Sequence, residues 1–184
     1  MRHPAFLIPL FLAAALSLAA ATPCQPLTLI PALLAPAPGD VYLHEASADC
    51  TTIQVEVAGR DLANVFTLSF DVRYPIGLLT YDGYVIAPTL LHGSPRTPPL
   101  VLVQKRPTGV LQISMTRFAP DGGVSFGGEK GLLTLRFHRI GTGTGTIDFN
   151  QNVDSFVTEK VVSDSGVPVA ARFGPGHGIT FSTQ

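Results

Sequence analysis

The chain has no tryptophan, only two cysteines among its 184 residues, and a charged fraction of only 14%. Each shortage excludes something. Sugar-binding faces stack broad rings on the ligand, and here the supply is four tyrosines and eleven phenylalanines, most of the latter at apolar-periodic or leader positions. Two cysteines fall short of the four ligands of a structural zinc site. A formal net charge of −1, with Lys105-Arg106 the only adjacent basic pair, leaves no electrostatic footprint for nucleic acid or an anionic membrane. Nucleic acid is excluded as a partner.

Catalytic patterns are missing as well. The five histidines, His3, His44, His92, His138 and His177, stand alone, with no H-x-x-x-H or H-E-x-x-H spacing between them. No G-x-S-x-G elbow exists to expose a nucleophilic serine. Glycosidases need two carboxylates about 5–9 Å apart. Glu56 and Asp71, on neighbouring predicted strands, are the pair to examine, although exposed strand carboxylates are ordinarily solvated. No D-x-[DN]-x-[DN]-G calcium loop is present, and Asp121-Gly122-Gly123, the nearest approach to one, reads as a turn. The GTGTG run at 141–145 precedes a strand rather than a helix, so it too reads as a turn and not as a phosphate cradle. The sequence predicts no enzyme, no cofactor and no metal.

Helical periodicity is absent outside the first residues. Met1-Arg2-His3, an apolar run over 5–18 and the Ala19-Ala20-Ala21 exit form a secretory signal peptide, expected over 1–21. The run is too short for a transmembrane anchor. That leaves 22–184, about 163 residues, as a single exported domain. Cys24 and Cys50 both fall in it. In an exported chain an even pair is most simply a disulfide, closing a loop of about 27 residues and adding roughly 3 kcal/mol. Acylation of Cys24 as a lipoprotein is disfavoured by Pro23, because a lipobox wants a small residue there.

The mature chain reads as strands. From Val65 to Tyr74, Phe66, Leu68, Phe70, Val72 and Tyr74 alternate with Thr67, Ser69, Asp71 and Arg73, a period of two that puts the apolar set on one face. A strand this long needs a covering layer, and a second sheet supplies it. Ile53, Val55 and Val57 alternate in the strand before it; Leu111, Ile113 and Met115, then Leu133, Leu135 and Phe137, alternate in later ones. Further strands are expected over 156–161, 167–173 and 179–182. Glycine and proline punctuate the joints, densely over 88–99. About nine short strands without parallel crossovers give an all-β fold, an antiparallel β-sandwich with jelly-roll topology.

The order of features resembles a cohesin domain. The match runs from Pro38-Gly39-Asp40 through the valine strand at 53–57 and NVFTLSFDVRYP at 64–75. It continues with GVLQISMTRF at 109–118, GEKGLLTLRFHRIGTGTGTIDF at 128–149 and GHGITF at 176–181. This resemblance implies a non-catalytic module that engages a dockerin-like or other exported protein through one sheet face. It implies that the face includes the strands around 65–74 and 100–116, with Thr67, Asp71, Gln112 and Ser114 at exposed positions. Related sandwiches bind polysaccharide, and for that alternative Tyr81 and Tyr84, flanking Asp82-Gly83, are the candidate stacking residues. A purely structural envelope domain is a third reading.

Overall fold

The computed structural model describes residues 27–86, 91, 97–118, 120–151, 160–174 and 176–183. Thirteen strands are found among them: β1 (Thr28–Pro31), β2 (Asp40–Ala48), β3 (Thr52–Arg60), β4 (Thr67–Arg73), β5 (Leu79–Ile86), β6 (Leu100–Lys105), β7 (Val110–Thr116), β8 (Glu129–Arg139), β9 (Gly143–Phe149), β10 (Lys160–Val162), β11 (Pro168–Val169), β12 (Arg172–Phe173) and β13 (Ile179–Thr183). Nine of these have five residues or more, the number expected; β1, β10, β11 and β12 are short additions of two to four. The expected signal peptide over 1–21 and Cys24 lie outside the described residues, as does most of the strand expected over 156–161.

The strands form two sheets. In the first, β1, β13, β9, β4, β7 and β6 lie side by side. One edge of β4 is shared: β9 pairs with Val72 and Arg73, while β10, followed by β11, pairs with Thr67 to Ser69. The second sheet has the order β12-β2-β3-β8-β5.

The alternation in β4 does what its period requires. Leu68, Phe70, Val72 and Tyr74 are buried between the sheets, facing Val55, Val57, Leu135 and Phe137 of the second sheet within one core cluster. Each such fully buried side chain contributes about 1.5–3 kcal/mol. Rings lock the layers together. Tyr74 lies 5.2 Å from Phe137 across the sandwich, and Phe70 meets Phe149 edge-on at 5.6 Å.

Three details depart from the sequence reading. The stretch over 167–173 is not one strand but two, β11 in the first sheet and β12 in the second. β12 then pairs with β2 in parallel over two residues, the one exception to antiparallel pairing among the described strands. Arg172 explains the docking: its Nε donates to Asp40 Oδ1 at 2.7 Å. Lastly, the glycine-threonine run is not all turn, since Gly143, Thr144 and Gly145 open β9. A Cβ on Gly145 would sit 2.7 Å from the Phe181 ring and 2.8 Å from Pro75, so the glycine serves close packing within a strand.

Candidate protein-binding face

The outer side of β4, β7 and β6 follows from register. With Leu68, Phe70 and Val72 turned inward, Thr67, Ser69, Asp71 and Arg73 must point outward. Thr67 lies opposite Thr116, Ser69 opposite Ser114, and Asp71 opposite Gln112; β6 then sets Leu100 beside Thr116 and Leu102 beside Ser114. Two hydroxyl pairs cross the strands, Thr67 Oγ1 to Thr116 Oγ1 at 2.8 Å and Ser69 Oγ to Ser114 Oγ at 3.0 Å. Short side chains that hydrogen-bond each other leave a flat centre whose polar atoms are largely satisfied before any partner arrives. At its edge Leu100 and Leu102 are 44% and 61% exposed, apolar surface available for contact.

Register thus brings together all four residues named from the sequence, Thr67, Asp71, Gln112 and Ser114, on one face. Their exposure departs from the expectation: Thr67, Gln112 and Ser114 are half-buried, and Asp71 is fully buried. The chain leaving β9 continues along β4 at this point: the Asn150 N–H donates to the Asp71 carbonyl at 2.8 Å, and Arg73 Nε donates to Asn150 Oδ1 at 3.2 Å. Across the strand pair Arg106 Nη2 donates to Gln112 Oε1 at 3.1 Å. Asp71 lies at the end of the face where Asn150, Arg73, Gln112 and Arg106 make these contacts. Its proposed pairing with Glu56 does not form, since Glu56 lies on β3 in the other sheet.

Leu100 and Leu102 escaped the sequence reading for a definite reason. Leu100-Val101-Leu102-Val103 is apolar at every position, so no period of two indicates which pair faces out. Only the pairing of β6 with β7 decides it, placing Val101 and Val103 against the core.

The other sheet has a different outer surface. His44 Nε2 lies 2.7 Å from Glu56 Oε2 and 3.7 Å from Glu129 Oε1. Gly131 leaves room for this arrangement, as a Cβ there would come within 1.9 Å of Glu56 Oε1. Ionised groups are costly to strip of water, whereas hydroxyls already paired to one another are cheaper. The hydroxyl face is the cheaper of the two to strip of water on that ground.

The two tyrosines considered for sugar stacking differ in exposure. Tyr81 turns into the core, its ring 6.0 Å from Phe137, and burial pushes its hydroxyl up to about 12. Tyr84, after the bulge between Tyr81 and Gly83, is 37% exposed. Only Tyr84 of the two presents an exposed ring. Cys50 is half-buried in the turn between β2 and β3; the Cys24–Cys50 pairing concerns residue 24, outside the described residues.

No protein-family model matches the chain. No curated protein matches it either. Solved structures do. A cohesin in a type II cohesin–X-dockerin complex from Acetivibrio cellulolyticus aligns at 11% identity with a TM-score of 0.55, covering 73% of this chain and 92% of that one. The solution structure of CaCohA2 from Clostridium acetobutylicum gives 14% identity and 0.53, covering 71% and 82%. A non-cellulosomal cohesin from the archaeon Archaeoglobus fulgidus gives 16% and 0.50, covering 73% and 85%. At such identities the likeness concerns architecture. The chain has a cohesin-like fold, a β-sandwich of jelly-roll topology.

Proposed function

We infer that this chain is a non-catalytic binding module that engages a partner protein, dockerin-like or another exported protein, across the outer face of β4, β6 and β7. One observation carries the reading: two interlocked hydroxyl pairs form a flat centre beside the exposed Leu100 and Leu102. Interface cores are depleted in charge, and on this surface Asp71 is fully buried while the half-buried Arg73 is held at one end by Asn150 Oδ1. Solved cohesins seen in complex with dockerins support the partner class by analogy of fold. Export is part of the same reading, with the leader over 1–21 removed and Cys24 bridged to Cys50.

A photo-crosslinking residue at position 102 tests it, with one at His138 on the other sheet as the control. Incubation with purified dockerins and with the exported proteins of the source should give a defined adduct from position 102 and none from 138. Equal labelling from both positions, or no adduct from 102, overturns the reading.

A further inference from the structure

The loops at the Thr67 end of β4 frame an open pocket of about 340 Å³ lined by Phe66, Gly122 and the exposed Pro120, Asp164 and Ser165. The Asp121-Gly122-Gly123 run, which looks like a plain turn in the sequence, is shaped around one carboxylate. Gly122 adopts φ +65°, where an added Cβ would also lie 3.4 Å from Asp164 Oδ2. A Cβ on Gly123 would overlap Asn64 Oδ1 at 1.7 Å. Asn64 in turn donates through Nδ2 to Asp164 Oδ1 at 3.1 Å, and the Gly123 N–H donates to Oδ2 at 3.3 Å.

These donors, the Asn64 amide first, hold the Asp164 carboxyl below the ordinary carboxylate range, so it is charged at neutral pH. Both of these donors, the Asn64 amide and the Gly123 N–H, are neutral. The nearby cation is committed elsewhere: Arg117, buried beneath the loop, donates Nη1 to the carbonyls of Asp121, at 3.3 Å, and Gly122. That guanidinium occupies loop carbonyls a bare metal ion would need. What remains is an oriented, solvent-exposed anion beside an aromatic ring and a proline in an open pocket. An organic cation on an aliphatic stem matches both halves, the stem lying on the ring and the charge meeting the carboxylate.

We propose that this pocket binds a basic side chain, the ammonium of a lysine or the guanidinium of an arginine, presented by another polypeptide. The stem lies against Phe66 and Pro120 and the cation pairs with Asp164. The site does not depend on the docking face, and small probes test it without any protein partner. The ¹⁵N-labelled protein is titrated with N-acetyl-arginine methylamide, N-acetyl-lysine methylamide, their neutral counterpart N-acetyl-norleucine methylamide, and calcium chloride.

Saturable shifts at the Gly122, Gly123 and Ser165 amides and the Asn64 side chain are expected with the two cations. Norleucine should give none, and Asp164→Asn, which keeps the shape, should weaken cation binding about tenfold, the equivalent of about 1.4 kcal/mol. Absence of saturation with both cations, an equal response to norleucine, or a response to calcium alone overturns the proposal. The norleucine comparison uses the unaltered protein, so it stands even where the variant folds poorly.

Discussion

Asp40 at the start of β2 and Arg172 in β12 meet at 2.7 Å although 132 residues separate them in sequence. The contact is one-sided: Asp40 is buried while the Arg172 side chain is 60% exposed. Burial alone would raise the Asp40 pKa, but the hydrogen bonds from Arg172 and from the Ala37 N–H outweigh it and hold the carboxyl below its ordinary value of 3.8. A depressed carboxylate pKa stabilises the fold above the unfolded-state value and ceases to do so as pH falls through the folded one.

Asp40→Asn puts an amide N–H2 where one carboxylate oxygen now accepts, from Ala37 N–H or from Arg172. A buried donor then faces a donor, at a cost of about 1–3 kcal/mol at pH 7. Urea unfolding from pH 7 down to pH 2 should show the gap between the two proteins closing below about pH 4. A gap that stays constant into acid would mean that the ion pair is not its source.

Gly145 makes a packing prediction. Its missing Cβ accommodates the Phe181 ring and Pro75 within a strand, so Gly145→Ala forces rigid neighbours apart and should cost about 1–3 kcal/mol. Gly77, in the turn before β5, has nothing within 4 Å of the same added atom. Gly77→Ala should stay within about 0.5 kcal/mol of the parent. Thermal unfolding of both variants separates a packing glycine from a turn glycine.

These two positions also mark what could be read without coordinates. The inward set of β4 was legible because a period of two survives any tertiary context that buries one face. The outward set was legible only as a set. Asp71 is buried although its strand position faces outward, and the chain that runs beside it at Asn150 arrives from β9 by a route no local pattern encodes. Gly145 looked like punctuation because its reason is the ring of Phe181, remote in sequence. Likewise β12 is two residues long, too short for any periodicity, and its backbone pairing with β2 is reinforced by the Arg172 side chain on Asp40.

The proposed docking face predicts a separation of stability from binding. Leu102 is largely exposed, so Leu102→Arg should change folding stability by no more than about 0.5 kcal/mol. Placed in an interface core, the same change removes an apolar contact and buries a charge. A loss of about 2 kcal/mol or more is expected, roughly thirtyfold in Kd for the partner captured at that position. Parallel melting curves and titration calorimetry read the two quantities. Unchanged affinity in a folded variant places the interface elsewhere.

The turn between β2 and β3 carries the last prediction. Asp49 Oδ1 accepts from the N–H groups of Thr51 and Thr52, both at 2.7 Å, and from Thr51 Oγ1 at 3.0 Å, so the loop bearing Cys50 is ordered by its own hydrogen bonds. A bridge from here to Cys24 would not be needed to build the hairpin. Its effect would instead fall on the unfolded chain, by closing about 27 residues, and on the segment before β1, an edge strand held by β13 alone among the described strands. Cys50→Ser in the oxidised protein should therefore cost about 3 kcal/mol, and the parent should lose the same amount under reductant while the variant loses none. Intact mass of the exported protein under non-reducing conditions should be two hydrogens lighter than the reduced form, with its first residue near Thr22. Two alkylatable thiols in that protein would exclude the bridge, and an unprocessed N-terminus would exclude the leader.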